Sequence, residues 1–235
     1  MSIRRITVLV TGLLAAASVA HADDAALPNL DYTYAGSFSG LSIGDVNVSL
    51  KPAGDAGCYQ YTTTSKPSSF VRALYGSPNQ FSTFCVKDGR IVSRRFEAKL
   101  DGDDKQSYTL DFAADGSSVT DENGVKREIP PGAVDNFSLQ QAVRLWVIAH
   151  YKDSNPPIAE FDMVDRKNIT HYKFQLSGHE QVQTPAGTFD TIKMERIDNP
   201  KKVGLFWIAP AKDMMPVKIT TQSGSTPAVE LILKK

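Results

Sequence analysis

A period of two runs through most of this chain. In DVNVSLK the apolar residues Val46, Val48 and Leu50 alternate with Asp45, Asn47, Ser49 and Lys51. Successive side chains of a strand point to opposite faces, so this spacing predicts a strand with one buried and one wet face. VSRRFEAKL sets Val92, Phe96, Ala98 and Leu100 on one face, and SYTLDF does the same with Tyr108, Leu110 and Phe112. THYKFQL turns Tyr172, Phe174 and Leu176 inward and His171, Lys173 and Gln175 outward. TIKMERI, VGLFWI, PVKITT and VELILK repeat the habit. Between the runs stand Asp88-Gly89 and Asn123-Gly124, pairs that tolerate the positive φ angles of tight hairpins. Punctuation this close leaves little room for the crossover helices of a parallel sheet. The expected fold is mainly β: a curved antiparallel sheet, or an incomplete barrel or sandwich.

Two segments depart from the alternation. SSFVRALYG, residues 68–76, carries Phe70, Val71, Leu74 and Tyr75 at helical spacing and predicts a short helix. SLQQAVRLWVIAHY predicts a longer helix over 138–151, opened by a capping box of Ser138 and Gln141. Leu139, Ala142, Val143, Trp146 and His150 form one stripe, which Leu145, Val147 and Ile148 widen. A helix this apolar is expected to pack against the sheet.

The N-terminus reads as a cleavable export signal. MSIRR is basic, ITVLVTGLLAAASVA is continuously apolar, and the small residues of AHA place the cut between Ala22 and Asp23. The apolar run falls short of the about 20 residues that span a bilayer. No cysteine stands near the cut to take a lipid, so residues 1–22 are expected to be removed and 23–235 to form one antiparallel β domain in the periplasm. That mature chain holds 24 basic against 26 acidic residues. Its basic pairs are scattered and face no aromatic runs, which argues against nucleic acid as a partner.

The two cysteines, Cys58 and Cys85, would meet an oxidising compartment after export, and an even pair there predicts a disulfide. Two thiols cannot complete a zinc site, and no histidine stands at ligand spacing beside them. The short helix falls inside the loop that this bond closes.

Catalytic signatures are weak. GLSIG, residues 40–44, fits the G-x-S-x-G pattern of a hydrolase's nucleophile elbow, with Ser42 at its centre. That motif acquires meaning only between a strand and a helix. Here a strand follows, and apolar parity slips at Leu41 and Ile43, so GLSIG is expected to be a turn with Gly40 and Gly44 reversing the backbone. DGDDKQ begins like a calcium loop, but Lys105 occupies a liganding place and Phe112 stands where the closing glutamate belongs. His150, His171 and His179 show no metal-hydrolase spacing. No catalytic residue, metal or cofactor is expected.

The most distinctive stretch is EQVQTPAGTFDTIKMERI, followed by GLFWIAPAKDMMPVKIT. The turn at Thr184 to Thr191, the run Phe206 to Pro210 and the strand start Pro216 to Ile219 resemble an exported bacterial family known as domain of unknown function 3108. GSFSGLSIGDVNVSL and FCVKDGRIVSRRFEA are similar to that family's early hairpins. The resemblance implies an exported, soluble β domain and no particular reaction. The cysteine pair is not part of it.

From fold class and compartment, the expected role is a non-enzymatic carrier. An apolar concavity between sheet and long helix would take a lipid or other hydrophobic molecule, with Trp146, Phe206 and Trp207 as lining residues. Plain aromatic core packing is the alternative for those three. An envelope assembly or adaptor protein acting through protein contacts is the rival role. A hydrolase of cell-wall polymer would need paired carboxylates in a cleft, and none stands out.

Overall fold

The computed structural model describes residues 27–101 and 106–235. The segment expected to be an export signal, with its expected cut between Ala22 and Asp23, and the centre of the acidic turn at 102–105 lie outside the described residues. In chain order the first strands are β1 (Leu30–Phe38), β2 (Leu41–Pro52) and β3 (Cys58–Pro67). Helix α1 (Ser69–Tyr75) leads to β4 (Ser77–Lys87), β5 (Arg90–Asp101), β6 (Tyr108–Phe112), β7 (Ser118–Asp121) and β8 (Lys126–Glu128). A two-residue β9 (Val134–Asp135) runs into helix α2 (Asn136–His150), followed by β10 (Ala159–Val164), β11 (Ile169–Thr184) and β12 (Gly187–Arg196). Then come β13 (Lys202–Ala209), a 3-10 turn at Pro210–Lys212, β14 (Met215–Ser223) and β15 (Val229–Leu233).

Among the described residues, the fifteen strands form one sheet built from two meanders. One runs outward from β1 to β8, the other from β15 back to β9, and they join where β1 lies antiparallel to β15. Every ladder is antiparallel except the short one between β9 and β10. The registers place the turns at two ends. The upper end carries Ser39–Gly40 and the turns at 197–201 and 224–228, and the lower end carries Asp88–Gly89 and the turn at 210–214. The edges meet through side chains rather than a ladder: Arg127 of β8 donates to the Asp165 carbonyl, and Arg166 pairs with Glu122. The result is an incomplete barrel with its core inside, where Leu50, Tyr61, Phe84, Leu110, Val147 and Val217 are buried.

Local chemistry explains where the alternation holds and where it slips. Asp88 and Gly89, at φ 51° and 70°, make a tight hairpin. A bulge at Arg94 shifts the phase of β5, so Ile91 and Ser93 are buried with Phe96 and Ala98 while Val92 is only half-buried. In GLSIG only Gly40 turns the chain, together with Ser39. Ser42 is an exposed strand residue opposite Ser37. Gly44 lies within β2 at φ 119°, beside a bulge, where a β-carbon would sit 2.4 Å from the Lys66 carbonyl oxygen. Gly44 is therefore needed for close strand approach, not for reversal.

Cys58 and Cys85 face each other across β3 and β4 and are joined, with S–S 2.05 Å and Cα–Cα 3.9 Å. They staple the lower end of this hairpin, whereas α1 caps its upper end. Helix α2 begins two residues earlier than its sequence pattern suggests, because Asp135, not Ser138, caps it. Asp135 accepts the Phe137 and Ser138 N–H groups at 2.9 and 3.0 Å. Its other oxygen accepts the hydroxyls of Ser138 at 2.6 Å and Ser82 at 2.9 Å, and its own N–H donates to Ser93. These bonds fasten the start of α2 to β4 and β5. Further along, the Arg144 Nε donates to the Asp213 carbonyl at 2.7 Å, in the turn between β13 and β14. Helix α2 thus crosses the barrel's interior and closes it toward the lower end. Among the described residues no helix is long and apolar enough to cross a membrane.

Candidate ligand cavity

Above α2 the curled sheet encloses a cavity of about 900 Å³ that opens at the upper end. Its walls follow from strand parity. Val48 and Thr63 are cross-strand partners, as are Thr63 and Gln80, and all three face inward. Opposite them stand Phe174, Met194, Phe206, Ile208 and Ile219 from the second meander. The mouth is formed by Phe38, Lys202, Val203, Ser223 and Pro227, of which Phe38 and Val203 are exposed apolar residues.

The floor is the inward face of α2. Asn136, Gln140 and Arg144 recur every four residues and so form one row. Phe137, Leu139 and Val143 flank the row. Gln140, which also lines the cavity, accepts the Tyr61 hydroxyl on its side-chain oxygen at 3.1 Å. Burial pushes the Tyr61 phenol above its ordinary range, so it stays a neutral donor.

Arg144 is the unusual member. It is only 4% exposed, and it makes no ion pair among the described residues. Its Nε reaches a peptide carbonyl and its Nη1 reaches the Gln141 side-chain oxygen at 3.1 Å. Nη2 has no partner among the described residues. The Asp213 carboxylate contributes a favourable field but accepts instead from the Tyr32 hydroxyl at 2.9 Å. Burial lowers the Arg144 pKa, though a guanidinium remains charged at any ordinary pH. A buried cation without an anionic partner is costly, and Gln141, whose Nε2 is buried and unpartnered, shows that this end of the helix is polar but incompletely satisfied. The lining residues also include Arg196 and Lys202 and contain no carboxylate. Arg196 is already held by Asp198 at 2.6–2.7 Å and stacks 4.1 Å from the Tyr172 ring centre.

The residues nominated from sequence are dispersed. Phe206 lines the cavity and meets Phe174 edge-on, centres 6.0 Å apart. Trp207, the next residue on the strand, points to the opposite face. There it donates to Glu180 and lies under the ammonium groups of Lys193 and Lys218, 5.8 and 5.1 Å from its ring centre. Trp146 packs against His150 on α2, away from the cavity wall. His171 sits on the exposed face between Asp162 and Glu160, whose hydrogen bonds raise its pKa. His150 bonds Asp153, and His179 is exposed. Among the described residues no group of three or more His, Cys, Asp or Glu side chains is placed to hold a metal. Arg144 was not nominated, although one signal pointed to it: it is the single charge inside the apolar run AVRLWVI.

Comparison with curated proteins gives no match. Among solved structures the chain is similar to the crystal structure of a beta-barrel-like protein of domain of unknown function DUF1849 from Brucella abortus. The TM-score is 0.55 at 9% identity, over 88% of this chain and 96% of that one, a likeness of fold alone. The profile of the family described as protein of unknown function (DUF3108) matches residues 31–228, which takes in both meanders up to the last strand, and the chain belongs to that family.

Proposed function

We infer that this protein is an exported, non-enzymatic carrier that holds a hydrophobic ligand in the cavity above α2. One observation carries this: a shell packed elsewhere like a core keeps about 900 Å³ open and lines it chiefly with apolar side chains. Empty apolar volume costs stability, because lining atoms forgo packing contacts. The volume matches small-molecule sites, which run from about 300 to about 1,000 Å³. Export is supported by the Cys58–Cys85 bond, which persists in oxidising compartments, and by the layout of the N-terminus. The groups that reach into the cavity are amides, hydroxyls and cations, without the carboxylate, imidazole or thiol that acid–base or nucleophilic chemistry draws on.

The test is binding of the neutral fluorophore N-phenyl-1-naphthylamine to the purified mature chain, beside native mass spectrometry of protein taken from a bacterial periplasm. Saturable one-to-one binding is expected. Thr63→Trp, which fills the cavity from its wall, should abolish that binding while leaving the melting transition in place. A wild type that binds no probe and carries no extra mass, or a folded Thr63→Trp that binds as well as wild type, overturns the carrier role.

A further inference from the structure

We propose that the ligand is an anionic amphiphile, its acid group seated on Arg144 at the cavity floor and its tail directed to the mouth between Phe38 and Val203. This rests on the carrier role and specifies what is carried. Three observations converge on it. The cavity wall is apolar over most of its area, which suits a hydrocarbon tail. Every charged lining residue is a cation. The deepest of these, Arg144, is buried with one terminal nitrogen unpartnered among the described residues.

The geometry distinguishes Arg144 from the other two cations. Arg196 is occupied by a fork-to-fork pair with Asp198, and Lys202 is exposed at the rim. Those two add positive potential at the entrance and draw an anion inward. Arg144 is held rigid by the Asp213 carbonyl and the Gln141 oxygen, so its planar fork is oriented before any ligand arrives. Gln140, one turn earlier in the same row, has its side-chain oxygen occupied by Tyr61, so what it can offer a ligand is its amide donor. A carboxylate or phosphate monoester placed there would give the buried guanidinium the directly bonded anion that it lacks among the described residues. The tail would then lie along Val143, Ile208, Ile219 and Phe206.

The experiment ranks four compounds by displacement of N-phenyl-1-naphthylamine near neutral pH: hexadecanoate, monohexadecyl phosphate, hexadecan-1-ol and inorganic phosphate. Either or both of the acids should bind roughly ten- to a hundredfold tighter than the alcohol, the range expected of charge-assisted hydrogen bonds at a desolvated site. Their order relative to each other identifies the headgroup as carboxylate or phosphate. Arg144→Met should erase the preference for acid over alcohol. Arg144→Lys, which keeps the charge and loses the fork, should fall between. Arg196→Gln should keep the preference. Equal binding of acids and alcohol by wild type overturns the proposal, and so does an acid preference that survives Arg144→Met or displacement by inorganic phosphate alone. If Arg144→Met does not fold, the wild-type ranking decides by itself. Failure of all three amphiphiles and of the fluorophore would instead sink the carrier role.

Discussion

At Gly44 a side chain has nowhere to go. A β-carbon would meet the Lys66 carbonyl oxygen at 2.4 Å, and φ of 119° is a conformation that L-residues avoid. Gly44→Ala should therefore lower unfolding free energy by about 1–3 kcal/mol, read as a lower urea midpoint. Ser42→Ala, on an exposed strand position two residues away, should stay within about 0.5 kcal/mol of wild type. A larger loss at Ser42 than at Gly44 would contradict the backbone account of this motif. Asp135 gives a pH dependence. Burial raises its pKa in the folded protein, against the opposing hydrogen bonds of Ser138, Ser93 and Ser82. A folded-state value above the unfolded one means the proton binds the native protein more tightly. The stability this contributes is complete below the unfolded carboxylate value of about 3.9 and is lost as pH rises through the folded value. Relative to Asp135→Asn, wild type should lose stability as pH is raised from about 3 toward about 7. Denaturant melts that show a constant difference would remove the cost assigned to the buried carboxylate.

Some residue-level chemistry was plain in the sequence and some was not. The inward set Tyr172 and Phe174 follows directly from alternation, since both face the cavity. Phe206 and Trp207 are both aromatic, but neighbours on a strand must face opposite sides, and parity alone does not say which side is the interior. The bulge at Arg94 is invisible to a pattern of two and moves Val92 off the face shared by Phe96 and Ala98. The weight of Arg144 emerges only when burial and missing partners are known, because an arginine on a helix is ordinarily a solvated one.

The elements show how short-range and long-range constraints divide. Turn residues announced the hairpins, but the cap of α2 was misplaced. Asp135 and Ser138 both suit an N-cap, and the choice depends on Ser82 and Ser93, distant in sequence. The hairpin of β3 and β4 is the one element with a covalent clasp. The sequence separation of 27 between Cys58 and Cys85 implies a stabilisation of roughly 3–4 kcal/mol through the entropy of the unfolded chain. The double substitution Cys58→Ser and Cys85→Ser should lower global stability by about that amount. Because α1 sits at the opposite end of the hairpin, its own amide exchange by local opening should not change. Selective loss of protection in α1 would show that the staple holds the helix after all.

At the scale of the molecule, fold class was legible because antiparallel sheets write themselves as alternation and tight turns. The closure was not. It depends on Arg127 reaching Asp165 and Arg166 reaching Glu122, contacts between edges that no local pattern links. The cavity likewise arises from α2 crossing the interior, and the helix's apolarity predicted contact with the sheet without predicting the space left above it. The joint between β1 and β15 has a consequence for assembly. Each meander can zip up hairpin by hairpin, yet the ladder that unites them couples the first strand to the last. Such non-local pairing is slow, and until it forms the free edges of β1 and β15 are open to wrong partners. Synthesis from the amino end delivers β15 last of the described strands. The cavity above α2 therefore cannot be enclosed until β15 has reached β1.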